Sequence, residues 1–330
     1  MGVYHLMGLG LSPGAVTAPI SYLAHRYQRW NSQDQDFFSR SGEAVQRENN
    51  EEVGDVQSLV IFTTKDVLQG SDTSDELFYV DNPIGRLTRN PKKYFNLPMQ
   101  DELERLLKRE WSNIRGKRRK REKGDIFWCE VDLRDIDSTY ERIIQVVASL
   151  GDVGKRGKEV WINLTGGNNV INFALQLAAT LSSEVARLYY VQAVNEDAEK
   201  CVKCTAHDDY WVDLPVIPLV LSPLIEEVIE ILDKEPLHYD ELYERLKNSR
   251  HWELLLGILS SETFDKKYLL PMWKPGLIKT IEKGVYAIGS QWELIQKYRE
   301  KLEQAKNENR TLEKLSQEEL WIEKHEIDLR

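Results

Sequence analysis

Two short stretches hold residue types suited to binding an anion. In Val160-Trp161-Ile162-Asn163-Leu164-Thr165-Gly166-Gly167-Asn168-Asn169-Val170, an apolar run fit for a buried parallel strand breaks at two glycines and passes at once into helical spacing, Val170 to Leu181. Gly166 and Gly167 let the backbone take positive φ and approach a ligand with no Cβ in the way, and the helix start aims unsatisfied N–H groups at the same spot. The dipole alone favours an anion there by roughly 0.3–1 kcal/mol when exposed. The alternative is a tight strand-to-helix turn with no ligand. The second stretch, Gly8-Leu9-Gly10-Leu11-Ser12-Pro13-Gly14, follows an apolar run, Val3 to Leu9, and precedes helical spacing at Val16, Ile20, Leu23 and Tyr27. A doubly wound sheet places ligands at the carboxyl ends of its strands, beside a switch in strand order, which is why two such turns matter together. A further strand, Leu59 to Thr63, ends in Thr63-Thr64-Lys65-Asp66 and makes Lys65 a candidate cation at that edge; the plainer reading is a solvated lysine.

The elements that must position these turns alternate. A helix over Met99 to Ile114 carries Leu103, Leu106, Leu107 and Trp111 on one face; Ile126 to Leu133 is a strand, and Thr139 to Leu150 a helix capped by Asp137 or Ser138. Strands follow at Arg187 to Val194 and Tyr210 to Val216. The alternation predicts a Rossmann-like α/β layer with a parallel-rich sheet over 1–218, with insertions at about 31–55 and 72–124. Pro215, Pro218 and Pro223 mark a boundary. Beyond it, helices at Leu224 to Asp233, Tyr239 to Lys247 and Trp252 to Ser260 and a hairpin, Leu277 to Ile281 and Val285 to Ile288, describe a winged helix-turn-helix over 219–290. A long polar helix, Gln291 to about Leu315, and a charged tail make a C-terminal helical segment, 291–330.

Composition narrows the classes. The chain has 330 residues, net charge −10 and three cysteines, which fit about two domains in a reducing compartment without a disulfide framework. No stretch reaches the roughly 18–20 apolar residues of a membrane span and none reads as a signal peptide, so a cytoplasmic protein with no membrane partner is expected. Residues 1–218 carry 27 Lys/Arg against 32 Asp/Glu and residues 219–330 carry 17 against 22, so neither part has the basic balance of a dedicated nucleic-acid binder.

Three local motifs compete with blander readings. The run Arg115-Gly116-Lys117-Arg118-Arg119-Lys120-Arg121-Glu122-Lys123 is either a solvated loop or a phosphate-tracking arm, with no aromatic interleaved for stacking. Cys201, Cys204 and His207 have the spacing of half a zinc site whose second half is missing, against two strand cysteines and a loop histidine. Arg245 and His251 bracket five residues, as in HEPN-type ribonucleases, but the hairpin downstream does not suit an all-helical domain. As a DNA reader, the third helix should offer polar residues to the major groove; Trp252, Glu253, Leu254, Leu255, Leu256 and Ile258 instead favour dimer contact or signal relay.

Gly8 to Thr17 after the first strand and Asn163 to Asn169 after a later one resemble the two ligand loops of the CRISPR-associated Rossmann-fold (CARF) family, over about Met1 to Pro218. The resemblance implies a homodimer that binds cyclic oligoadenylate, a ring of four or six adenylates, across its two-fold axis, with no other cofactor and no metal. It implies ligand contacts at Gly10, Leu11, Ser12, Pro13, Gly14, Thr63, Lys65, Thr165, Gly166, Gly167, Asn168 and Asn169. Some members cut the ring, an adenosine 2′-OH attacking the adjacent phosphate; Ser12, Thr165 and Asn169 would then act as catalytic positioning groups. The family's second loop often ends Thr-Lys where this chain has Asn168-Asn169, so an amide stands in place of a charge, unless Lys65, Lys155 or Lys158 supplies it. The implied role is a CRISPR-defence sensor whose winged helix reads out the bound state. Two alternatives are a ring nuclease and a ligand-controlled DNA-binding regulator assisted by the basic run. A mononucleotide-binding Rossmann domain would need an acidic ribose partner that the chain lacks at the customary place.

Overall fold

The computed structural model describes residues 2–10, 14–29, 32–39, 55–69, 79–81, 87–89, 99–112, 123–151, 159–192, 211–216, 222–248 and 264–329. The strands are β1 (Gly2–Gly8), β2 (Asp55–Thr63), β3 (Tyr79–Asp81), β4 (Leu87–Arg89), β5 (Lys123–Glu130), β6 (Glu159–Asn163), β7 (Val185–Val191), β8 (Trp211–Leu214), β9 (Leu237–His238), β10 (Ile278–Glu282), β11 (Val285–Ile288) and β12 (Ile322–Asp328). The chain divides into one unit of Met1–Pro218 with Gln304–Arg330 and a second of Leu219–Glu303.

The first unit is built on a seven-stranded sheet in the order β12-β5-β2-β1-β6-β7-β8. β5, β2, β1, β6 and β7 run parallel; β12 and β8 close the two edges antiparallel. From β1 the chain moves outward through β2 to β5, then crosses back to β6 on the other side of β1 and on to β7. The switch point therefore falls between β1 and β6.

Strand residues alternate between two helical layers, as the pleat requires. Val3, Met7, Leu59, Ile61, Ile126, Trp128 and Trp161 join α1 (Gly14–Arg29) and α4 (Met99–Trp111) in one core, with α2 (Ser32–Ser39) supplying Phe37 and Phe38. The intervening residues, among them Leu6, Phe62, Phe127 and Ile162, are equally buried and turn to the opposite face, where α5 (Ile136–Ser149) and α6 (Asn169–Ser182) bury Ile143, Val147, Ile171, Ala174 and Leu175. The first face also buries charge. Arg187 grips Asp213 at 2.6 and 2.8 Å, donates to the Phe37 carbonyl at 3.0 Å and lies over the Phe37 ring, so its charge is both paired and hydrogen-bonded. Beside it His5 meets Tyr189 Oη at 2.9 Å and sits edge-on to Trp161. Burial, then the Arg187 charge, push His5 down to about 3.

Several boundaries differ from the sequence reading. The cap of α5 is Asp135, not Asp137 or Ser138: its carboxylate accepts from the Ser138 amide at 3.0 Å, and the Thr139 hydroxyl donates to the Asp132 carbonyl at 2.7 Å. Within the expected insertion at 31–55, residues 32–39 are helix, held to α1 by Asp34, which takes hydrogen bonds from Arg26 and Arg29. The C-terminal segment is not helical throughout. The long helix α10 (Ser290–Asn307) is followed by Asn309, which is left-handed with φ 48°; α11 (Leu312–Glu318) restarts under a Thr311 cap, and β12 then adds to the sheet edge along β5. Its polar residues face partners rather than water alone: Lys324 meets Asp125 at 3.2 Å, and His325 meets Glu104 at 2.6 Å, a carboxylate that also accepts from Trp128.

The second unit holds α7 (Pro223–Lys234), α8 (Tyr239–Lys247), a π-helical turn (Asp265–Leu269) running into α9 (Leu270–Trp273), and a three-stranded sheet in the order β10-β11-β9. Leu224, Val228, Leu242, Leu246, Phe264, Met272, Ile278 and Trp292 form its core. β9 was not anticipated, being two residues long. The helix directly before the hairpin is 265–273; the helix expected at 252–260 lies outside the described residues. Among the described residues no helix is long and apolar enough to cross a membrane.

Candidate anion-binding site

The two glycine turns meet at the switch point, backbone against backbone. A Cβ on Gly166 would stand 1.8 Å from the Ala15 Cβ, and one on Gly8 would stand 3.1 Å from the Gly166 carbonyl oxygen. Gly167 adopts φ 97°, and a Cβ there would lie 2.9 Å from the Gly8 Cα. These glycines are required first by contact between the turns, a reason the sequence reading did not contain; it had assigned them to positive φ and ligand approach, or to a tight turn with no ligand.

Side chains then fasten each turn. Asn163, wholly buried at the end of β6, donates from Nδ2 to the Ala15 carbonyl at 2.9 Å and accepts at Oδ1 from the Thr165 amide at 2.8 Å. Thr165 Oγ1 accepts from the Val191 amide at 2.8 Å, so its hydroxyl has one lone pair engaged and keeps its proton to donate. The Leu164 amide donates to the Tyr189 carbonyl at 2.8 Å. On the first turn, the Leu9 amide donates to the Phe62 carbonyl at 2.9 Å and the Thr63 hydroxyl donates to the Leu9 carbonyl at 2.8 Å. Thr63 is fully buried, and this bond accounts for its hydroxyl proton.

Asn168 caps α6: its Oδ1 accepts from the Val170 amide at 2.9 Å, while Asn168 and Asn169 are both exposed. The start of α6 thus presents two amides and the positive end of a helix dipole to solvent beside the paired turns. Lys65 is exposed at the first position of α3 (Lys65–Gln69), directly after β2, and so at the same carboxyl edge. Gly10 is half-buried and Gly14 is buried at the start of α1. The structure therefore brings Gly10, Gly14, Thr63, Lys65 and Thr165 to Asn169 to one edge of the sheet. Leu11, Ser12 and Pro13, Lys155 and Lys158, the run 115–122, His251 and the Cys201, Cys204 and His207 cluster lie outside the described residues. Among the described residues no group of three His, Cys, Asp or Glu is placed to share a metal ion. Cys129 is buried on β5, where desolvation raises its thiol far above the ordinary range. Sequence reasoning missed Asn163 and Ala15 as site residues. The buried polar residue ending an apolar strand was the available signal, since such a side chain must find partners.

No family model matches the chain. An uncharacterized protein of Archaeoglobus fulgidus is 26% identical over 244 residues, which is 69% of this chain and 72% of that protein. Enterococcus italicus Csm6 bound to cyclic hexa-2'-fluoro-hexa-dAMP is similar at 11% identity and a TM-score of 0.37, over 84% of this chain and 56% of that one. Protein VC1899 from Vibrio cholerae is similar at 11% identity and a TM-score of 0.27, over 91% of this chain and 66% of that one. The chain spans a little over half the length of the first of these structures and 66% of the second.

Proposed function

We propose that this chain is a CRISPR-defence sensor that binds cyclic oligoadenylate at the paired turns and couples the bound state to its second unit. The observation that carries the reading is the junction of the Gly8–Ala15 and Asn163–Asn169 turns at the β1/β6 switch point, with the exposed amides of Asn168 and Asn169 and the start of α6 beside it. That is a cradle for phosphate oxygens, and the motif resemblance names the ring as the phosphate source. A two-fold ring calls for two such edges face to face, so the binding species is a homodimer. The second unit, with α7, α8, the 265–273 helix and the β10–β11 hairpin, is the winged-helix reader. Binding is favoured over cleavage, because Asn169 brings no charge to the phosphate. Labelled cyclic tetra- and hexa-adenylate incubated with purified protein separate the readings. Retention of intact ring supports the sensor, metal-independent linear products support a ring nuclease, and absence of binding at micromolar protein removes both.

A further inference from the structure

α1 carries Pro19 in its interior, and a proline there supplies no N–H to the carbonyl four residues earlier. That carbonyl is Ala15. Buried as Ala15 is, the group needs a donor, and it receives one from Asn163 Nδ2 at 2.9 Å, 148 residues away in sequence. The other end of the same amide accepts from the Thr165 N–H at 2.8 Å. Ala15 is also the residue against which Gly166 is pressed. Pro19, Ala15, Asn163 and Thr165 thus form one chain of dependence that joins the start of α1 to the second turn.

We infer that Pro19 and Asn163 are positioning residues for the ligand site: Pro19 keeps the Ala15 carbonyl open, and Asn163 uses it to hold both turns at one spacing before ligand arrives. This rests on the ring-binding reading above. Neither residue touches ligand, because both are buried; they act through Ala15 and Thr165. Holding the cradle in its bound geometry removes an ordering cost from association.

The test uses Pro19→Ala, Asn163→Asp and the unaltered full chain, with cyclic hexa- and tetra-adenylate as probes. Pro19→Ala restores an N–H that draws on the Ala15 carbonyl, and because the proline ring is buried its melting curve is recorded beside its affinity to show where it is folded. Its ring affinity should fall by about three- to tenfold, the worth of roughly one net hydrogen bond. Asn163→Asp keeps the acceptor for Thr165 and loses the donor to Ala15; its dissociation constant should rise by at least as much, measured where its own melting curve shows it folded. A purely structural role would shift melting and leave both constants unchanged, and that result overturns the inference. Hydrogen exchange on the unaltered protein gives a reading free of any folding defect: the Thr165 amide should be protected without ligand, and protection appearing only with ring would overturn pre-positioning. A parent chain that binds neither ring, yet shows a protected Thr165 amide, sinks the proposed function and takes the ligand role of this pair with it.

Discussion

Gly166→Ala places a methyl carbon 1.8 Å from the Ala15 Cβ, about half the distance at which two carbons rest. Neither methyl can rotate away, since each is fixed to backbone, and Gly166 does not have positive φ, so the penalty is steric rather than conformational. Overpacking of this kind costs about 1–3 kcal/mol, and a clash this deep between two rigid backbones belongs near 3. Ala15→Gly removes the obstructing methyl at about 0.5–1 kcal/mol of helix propensity. In the double variant the new Cβ meets the Ala15 Cα at 3.0 Å, which a shift of a few tenths of an ångström relieves. The double variant should then be more stable than Gly166→Ala, with a coupling of about 1–2 kcal/mol. Urea unfolding followed by circular dichroism and tryptophan fluorescence supplies the four free energies. If Gly166→Ala lies within about 0.5 kcal/mol of the parent, or the two changes add, the turns are not in contact and the cradle described above does not form.

Acid provides a second test. His5 is held at about 3, first by burial and then by Arg187, against 6.5 when exposed, so the unfolded chain binds the extra proton and stability falls as pH drops through that window. Between pH 8 and pH 5 the His5 contribution is about 2 kcal/mol, and His5→Gln should flatten the profile there. His325 behaves oppositely. Burial works against its charge, but Glu323 and Glu104 outweigh that and raise it. Its contribution is complete below the unfolded value and lost as pH rises through the folded one; His325→Gln should therefore expose the β12 amides to hydrogen exchange at pH 6 and change little at pH 9. Asn168 separates capping from ligand contact: Asn168→Ala should cost about 1 kcal/mol of stability, whereas Asn168→Asp keeps the cap, holds its stability and weakens ring binding by placing an anion at the cradle.

Both turns were legible because each joins an apolar run to helical spacing through glycines, and the α/β alternation placed them at one sheet edge. The contact between them was not, for Gly166 against Ala15 and Asn163 with Ala15 join positions far apart in sequence whose local signs are a proline inside a helix and a polar residue ending an apolar strand. β12 was hidden for a different reason: an edge strand needs few apolar residues, and Glu323 to Glu326 read as a solvated tail until Glu104, Lys123 and Asp125 supply their partners. Thr63 ends a strand, and that its hydroxyl proton goes to the Leu9 carbonyl, 54 residues away, had no local sign.

Calorimetric titration of the full chain with intact cyclic hexa- and tetra-adenylate, in parallel with the matching linear oligoadenylates, tests the central claim most directly. The account predicts saturable micromolar or tighter binding of one ring per two chains, with the linear forms weaker and binding reduced by added salt. Equal binding of ring and line, one ring per single chain, or no heat with any ring would contradict it.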